Sequence, residues 1–199
     1  MKQPQQNAGN YRICGSVTIG HKELVWGENS SAGPGQRYLC AYHETNELFS
    51  RYVDCMVSDD YAEIIQLFGQ RMVEETRALQ KEVEQLKASG VSVEPITMEQ
   101  CVPDDPADSL VGRVVVMRPE ILRAEFQRPD CQVFLVTGGF GAQGNARGRK
   151  VFCTNLYHGR NEVFFRSDVL GTLRPECTPP WVSEKLAEIQ ARRREEKQR

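Results

Sequence analysis

The first half of the chain changes from strand-like to helix-like hydrophobic spacing. Apolar residues alternate with polar ones or form short runs in segments 11–19, 24–26 and 38–42. Gly20-His21 and the stretch 28–35, which is rich in Asn, Ser, Gly and Pro, separate these segments, as turns separate strands. The pattern predicts a small antiparallel meander of three strands.

Helical spacing follows the third strand. A short helical segment is predicted before residues 58–60 interrupt the pattern, from the spacing of Leu48, Phe49, Tyr52 and Val53. A long helix is predicted from Asp60, with Glu63 as a capping-box-like partner, to Gly90, since glycine suits the position just past a helix. Its apolar stripe consists of Tyr61, Ile65, Phe68, Met72, Leu79, Val83 and Leu86.

We expect the first half of that stripe to pack on the three strands. The second half is heavily charged off the stripe, so it either projects or pairs with a second helix. A dimer through the long helix is therefore one prediction, although the heptads are few.

Two segments are predicted to lack regular structure. Residues 1–10 are polar and glutamine-rich, and we expect them to be disordered because they offer little to bury. Residues 91–109 contain three prolines and an acidic cluster that resist regular structure. The second segment is interpreted as a linker, which divides the chain into modules 11–90 and 110–174.

The second module is predicted to be rich in short strands. Apolar runs separated by glycine turns lie at 111–117, 131–136, 151–156, 162–166 and 169–173. Four or five short strands in a module of this length indicate a small β-barrel or curled sheet of SH3-like or OB-like size. In residues 175–199, a helix is predicted from Trp181 to about Arg194, followed by a frayed tail. The fold class predicted for the whole chain is α+β.

Composition narrows the class of protein. The 199 residues are 40% hydrophobic, which suits one domain or two small ones. No apolar run approaches the length that spans a bilayer, and the N-terminus lacks the apolar core of a secretory signal. Seven scattered cysteines form no Cys-x-x-Cys pair, so we expect reduced thiols and no zinc site. We expect a soluble cytoplasmic protein that contacts no membrane.

Charge is divided unevenly along the chain. Residues 1–109 carry 9 Lys/Arg and 17 Asp/Glu, whereas residues 110–174 carry 10 and 5. This asymmetry indicates two modules with different partners. The alternative is an intramolecular fit, in which the acidic part binds the basic part.

The glycine-rich segment 137–150 is the one stretch that suggests a ligand. Gly139, Gly141 and Gly144 match the spacing of a dinucleotide fingerprint, but that fingerprint must open a helix, and here a strand is predicted next. The glycine spacing also differs from that of a P-loop. We therefore predict no nucleotide cofactor.

Two interpretations of the segment remain. Its glycine amides and basic side chains form a cradle for a phosphate backbone or an acidic protein surface, or it is a wide, mobile hairpin. The candidate contact residues are Gly139, Gly141, Gly144, Arg147, Arg149, Lys150, Arg160 and Arg166. Possible base-stacking groups in the same module are Phe140, Phe152, Tyr157, Phe164 and Phe165, most of which we expect in the core because they alternate along strands.

No motif names a catalytic activity. The histidines His21, His43 and His158 lie in or beside predicted turns without a partner at a diagnostic spacing, and we expect them to be solvated. Only folding in space would assemble a catalytic triad around one of them. The acidic cluster of Asp104, Asp105 and Asp108 lacks EF-hand spacing and is interpreted as solvated linker. We predict no catalytic or metal-binding residues.

Several segments carry a resemblance to a known group of proteins. In the first module they are YRICGSVTIG at 11–20 and ELVWG at 23–27. In the second they are VVVMRP at 114–119, GGFG at 138–141, NARG at 145–148, VFCTN at 151–155, DVLG at 168–171 and PW at 180–181. With these segments the chain resembles small uncharacterised accessory proteins of conjugative elements and phages of Firmicutes, and the second module is also similar to modules of large polyvalent proteins.

The resemblance implies a setting and no catalytic residues. Accessory proteins of such elements counter host defence or assist DNA transfer. The expected function is a non-enzymatic accessory protein that inhibits a host-defence nuclease or other nucleoprotein, by an anti-CRISPR or anti-restriction action. The alternative is a module that binds the DNA or RNA backbone without inhibiting anything. An enzyme with a site assembled in space is the least favoured hypothesis.

Overall fold

The chain folds as two compact units. The computed structural model describes residues 7–45 and 49–197, and the units comprise Met1–Glu84 and Gln85–Arg199. The division falls inside a long helix, α1 (Tyr61–Ala88), and so precedes the predicted linker. The mixed α+β class is confirmed.

The first unit contains a curled antiparallel sheet of five strands in sequence order. They are β1 (Asn7–Ala8), β2 (Tyr11–Ile19), β3 (Lys22–Glu28), β4 (Tyr38–Thr45) and β5 (Ser50–Ser58). The three predicted strands are β2, β3 and β4. The outer two strands were not predicted.

The two additional strands occupy segments for which other structure was predicted. Asn7 and Ala8 pair with β2, so the predicted disorder does not hold for them, and residues 1–6 lie outside the described residues. The helical segment predicted around residues 49–53 is wrong, because β5 pairs with β4 from Ser50 to Ser58. Leu48, on which that prediction also rested, lies outside the described residues.

Both faces of this sheet bury apolar side chains. On one face, Leu24 and Cys40 pack with Ile64 of α1, and Val17, Trp26, Tyr38, Tyr42, Leu67, Phe68 and Met72 surround them. On the other face, Ala8, Val25, Leu39 and Ala41 form a second cluster. The expectation that the first half of α1 packs on the strands is confirmed.

The ends of α1 lie where the sequence predicts them. The Ala62 backbone N–H donates to Asp60 Oδ1 (2.8 Å) at the start. At the end, the Val91 N–H donates to the Leu86 carbonyl and the Gly90 N–H to the Lys87 carbonyl. Gly90 has φ +72°, which completes a Schellman motif. Dimerisation through this helix stays a prediction.

The second unit contains an antiparallel sheet of six strands in the order β10-β9-β8-β7-β11-β6. These are β6 (Cys101–Pro103), β7 (Val114–Met117), β8 (Val133–Gly138), β9 (Lys150–Asn155), β10 (Asn161–Phe165) and β11 (Val169–Leu173). A short helix, α2 (Pro129–Gln132), precedes β8, and α3 (Pro180–Lys197) follows β11. The predicted C-terminal helix is thus present. Among the described residues, no helix combines the length and apolar character needed to cross a membrane.

The predicted linker belongs to the second unit. Val91, Ile96 and Cys101 are buried, and β6 pairs with β11 at the edge of the sheet. An edge strand tolerates proline because one side of it makes no ladder hydrogen bonds, which explains how Pro103 fits there. Proline content alone therefore gave the wrong domain boundary.

The difference in net charge between the two units is smaller than the sequence analysis indicated, because the units divide after residue 84. Residues 1–84 carry 8 Lys/Arg and 12 Asp/Glu, and residues 85–199 carry 17 and 15. The net charges of the units are therefore −4 and +2. Much of the acidic excess assigned to the first module lies in residues 85–109, inside the second unit.

Two clusters of buried side chains make up the core of the second unit. One contains Leu110, Val115, Met117, Phe134, Val136, Ala142, Val151, Cys153 and Val169. The other contains Ile96, Cys101, Val116, Val133, Leu135, Leu156, Leu170 and Val182. Trp181, Leu186 and Ile189 of α3 pack against the second cluster.

Candidate nucleic-acid interface

The glycine-rich segment is a folded loop between β8 and β9. It contains a 3₁₀ turn at Phe140–Ala142, and Gly141 and Ala142 are buried. The Leu110 N–H donates to the Ala142 carbonyl, and the Asn145 N–H donates to the Pro106 carbonyl, both at 2.8 Å. These bonds fix the loop to the segment that precedes β7.

The glycines permit close backbone packing within this loop. Gly139 has φ +103°, and a Cβ there would lie 2.5 Å from the Lys150 carbonyl oxygen. A Cβ on Gly141 would lie 2.5 Å from the Arg149 carbonyl carbon, and one on Gly144 would overlap the Ala107 carbonyl. The Gly-x-Gly-x-x-Gly spacing is therefore accounted for by backbone packing, without a bound phosphate.

Arg166 joins this loop to the acidic cluster. Its Nε and Nη2 donate to the two carboxylate oxygens of Asp104 at 2.7 and 2.8 Å. Nη1 donates to the Gln143 carbonyl, and Nη2 also donates to the carbonyls of Asp105 and Asp108, all at 2.8 Å. The Asp104 hydrogen bond is the largest cause of a raised Arg166 pKa. Arg166 is thus engaged inside the unit, and Asp104 is its partner rather than part of a solvated linker.

Three of the predicted basic residues do lie together at the surface. Arg147, Arg149 and Lys150 are exposed within four positions of one another, where the loop enters β9. Arg160 is also exposed, but it lies in the turn at the other end of the β9–β10 hairpin, since Lys150 pairs with Phe165 and Thr154 with Asn161. The loop and the turn therefore place positive charge at both ends of this hairpin.

Exposed apolar side chains lie between those two ends. Lys150 pairs with Phe165 and Phe152 pairs with Val163, so all four side chains project from the same face. We call these four residues the hairpin face. Phe152, Val163 and Phe165 are 47%, 42% and 49% exposed.

A further aromatic side chain lies at the basic end of the hairpin. Phe140 is 85% exposed, and its Cβ lies against Gly148. The prediction that most of the five aromatics are core residues is wrong, because Phe140, Phe152 and Phe165 are exposed. Of the five, Phe164 packs its ring on Phe134 at 4.9 Å, and Tyr157 packs on Trp181 at 5.4 Å.

Comparisons of the chain with models of protein families, with curated proteins and with solved structures find no match. The resemblance to mobile-element accessory proteins, and everything implied by it, stays a prediction. The site must therefore be interpreted from its own chemistry.

A buried polar network lies in the same unit. Asp130 is fully buried. Its two carboxylate oxygens accept hydrogen bonds from Nε and Nη2 of Arg128, each at 3.1 Å. His158 Nε2 lies 3.1 Å from Asp130 Oδ2, so the prediction that this histidine is solvated is wrong. The Asn155 side chain donates to the Asp130 carbonyl at 2.8 Å. The network fastens α2 to β9 and the turn that follows it.

This network also contains potential metal ligands. Ligand atoms of Asp130, Cys131 and His158 lie within 4.8 Å of one another. Burial raises the pKa of the Cys131 thiol to about 12, so the thiol holds its proton while no cation is bound. Because Arg128 already occupies both oxygens of Asp130, we assign the group a structural role.

Proposed function

We propose that the second unit binds single-stranded nucleic acid through the hairpin face and the adjoining loop. The observation that carries the proposal is the exposure of Phe140, Phe152 and Phe165 beside Arg147, Arg149 and Lys150. Proteins that bind single strands without sequence preference combine aromatic side chains, on which bases stack, with positive charge along the backbone path. The apolar area would otherwise lie in water at a cost.

Single strands fit this surface better than duplex does. A duplex presents its phosphates outside and its bases stacked within, so exposed phenylalanines at a sheet surface gain little from it. An unpaired strand offers the faces of its bases to Phe152 and Phe165, while Lys150 and the two loop arginines neutralise phosphates. Positive charge at Arg160 extends the path to the far end of the hairpin.

Fluorescence anisotropy with a labelled oligothymidylate tests the proposal. We expect binding at low salt that weakens steeply as salt rises. Replacing Arg147, Arg149 and Lys150 by alanine removes three phosphate contacts, so it lowers the slope of log K against log salt by about 2. Replacing Phe152 and Phe165 by alanine weakens binding by about 1–3 kcal/mol per stacked base, with little change in that slope.

The control variant is Lys185→Ala. Lys185 lies on α3 and pairs with Glu188 at 3.0 Å, so its loss should leave binding unchanged. A matched duplex should compete poorly with the single strand. The proposal is wrong if the protein does not bind the oligonucleotide at low salt. It is also wrong if the variant with Arg147, Arg149 and Lys150 replaced by alanine binds with the native affinity and salt dependence.

We propose the counter-defence role as the setting for this binding. An accessory protein that occupies exposed nucleic acid in a host nuclease complex would inhibit the nuclease by occlusion, which needs no chemistry in the second unit. A plasmid-protection assay against a panel of CRISPR and restriction nucleases tests this role. Full activity of every nuclease in the panel would count against it without affecting the binding proposal.

A further inference from the structure

A second cluster of polar side chains lies in the first unit and is independent of the hairpin face. His43 Nδ1 lies 2.6 Å from Glu23 Oε2, and His43 Nε2 lies 2.7 Å from Ser50 Oγ. The side chain of His43 is 9% exposed. The sequence-based expectation of a solvated turn histidine is wrong for His43, because β3 and β5 bring partners to both ring nitrogens.

The sheet fixes the order of these three residues. Glu23 on β3 pairs directly with His43 on β4, and Ser50 on β5 pairs with Thr45, two positions further along β4. Side chains at paired positions, and at positions two apart, project from the same face. The His43 ring is also stacked on Tyr52, with centroids 4.7 Å apart, and this contact restricts rotation of the imidazole ring.

The hydrogen bonds also fix the state of the imidazole ring. A carboxylate is an acceptor, so Glu23 selects the tautomer that carries its proton on Nδ1. Nε2 is then the acceptor for the Ser50 hydroxyl proton. This is the arrangement in which a serine is activated by a histidine that a carboxylate orients.

An open groove lies beside the cluster. It has a volume of about 460 Å³, and Glu23, His43, Thr18, His21 and Phe49 are among the residues that line it. Phe49 is 47% exposed and directly precedes Ser50. The groove therefore offers an apolar contact for a small molecule beside His43, at the residue that precedes Ser50.

We propose that Ser50, His43 and Glu23 form a nucleophilic site that cleaves small carboxylic esters. The Ser50 Oγ attacks the ester carbonyl carbon while its proton passes to His43 Nε2. The bond from that carbon to the alcohol oxygen then breaks, and His43 returns the proton to the leaving alkoxide. Water attacks the acyl-serine by the same route, which releases the acid and restores the hydroxyl.

Each residue has a distinct part in this step. Ser50 and His43 are the catalytic residues, since they form and break bonds with the substrate or transfer its proton. Glu23 is a positioning residue that acts through His43. An ester suits the site better than an amide because an alkoxide leaves more readily than an amine anion.

Covalent labelling of the full chain tests the proposal directly. A fluorophosphonate reacts with an activated serine by forming an oxygen–phosphorus bond and releasing fluoride. We expect intact mass and peptide mapping to show phosphonylation of Ser50, and p-nitrophenyl acetate to be hydrolysed. Both reactions should be lost in Ser50→Ala and slowed about a hundredfold in His43→Asn.

The controls separate catalysis from folding. Ser58→Ala removes a serine at the other end of the same strand, whose hydroxyl bonds Glu63 instead of a histidine, and it should label at the native rate. Glu23→Gln should slow labelling, and Glu23→Asp should restore part of the rate. Circular dichroism confirms that each variant is folded. The proposal is overturned if Ser50 of the folded native chain stays unlabelled, or if Ser50→Ala hydrolyses the ester at the native rate.

Discussion

Asp130 shows how one buried charge makes the stability of the second unit depend on pH. Burial alone would raise the pKa of its carboxyl, but the hydrogen bonds from His158 and Arg128 outweigh burial and hold the pKa below the ordinary 3.8. A carboxyl whose pKa is lower in the folded than in the unfolded chain stabilises the fold above its unfolded pKa. That contribution is lost as pH falls through the folded value.

We therefore expect the second unit to lose stability below about pH 4. Asp130→Asn should remove most of this acid dependence. It should also lower the free energy of unfolding at neutral pH by about 3–5 kcal/mol, because it breaks a buried ion pair. Thermal denaturation of both proteins from neutral to acid pH measures this. If the variant loses thermal stability at acid pH as much as the native chain does, other carboxyl groups cause the acid dependence.

Single residues also show what the sequence pattern left open. In β9, Val151 and Cys153 face the core while Phe152 between them is exposed. All three residues are apolar, so their local alternation did not show that Phe152 is the exposed one. Arg166 was grouped with the surface arginines because its aspartate and carbonyl partners are up to 62 residues away in the chain.

At the scale of elements, a sequence motif predicted a helix boundary correctly where the motif acts on backbone groups close to it in the chain. The start and end of α1 were predictable because Asp60 and Gly90 act on backbone groups within one turn. By contrast, β5 was missed because its apolar residues happen to have helical spacing and because, at the edge of the sheet, it buries little. The cluster of Ser50, His43 and Glu23 could not be predicted from local sequence patterns, since it requires three strands in register.

Gly90→Ala tests the end of α1. The positive φ of Gly90 is unfavourable for a residue with a Cβ, so we expect the free energy of unfolding to fall by about 1 kcal/mol. Gly33→Ala is a matched control, because no other atoms lie near the added Cβ and the φ of Gly33 is not in the left-handed range. Equal stability of both variants would contradict the assigned role of the Schellman motif.

At the scale of the whole molecule, two units each have their own buried clusters. The α+β class, the long helix and the strand-rich second unit were predictable from periodicity. The boundary was not, because proline-rich β6 is held by β11, about 70 residues later, and composition does not report distant pairing.

Hydrogen exchange measured by mass spectrometry should resolve the two cores. Phe134→Ala opens a cavity in the second unit, where Phe134 is 1% exposed, and should speed exchange in β7, β8 and β9. Leu24→Ala, at a residue also 1% exposed, should speed exchange in β2, β3 and β4. Both variants should lose about 2–5 kcal/mol. Identical exchange patterns in the two variants would mean that the units unfold as one.

The position of β6 has a consequence for synthesis of the chain on the ribosome. The first sheet pairs its strands in sequence order, so each strand finds its neighbour soon after it emerges. In contrast, β6 leaves the exit tunnel long before β11. The nascent second unit therefore carries an unpaired β6 until β11, about 70 residues later, has also left the tunnel.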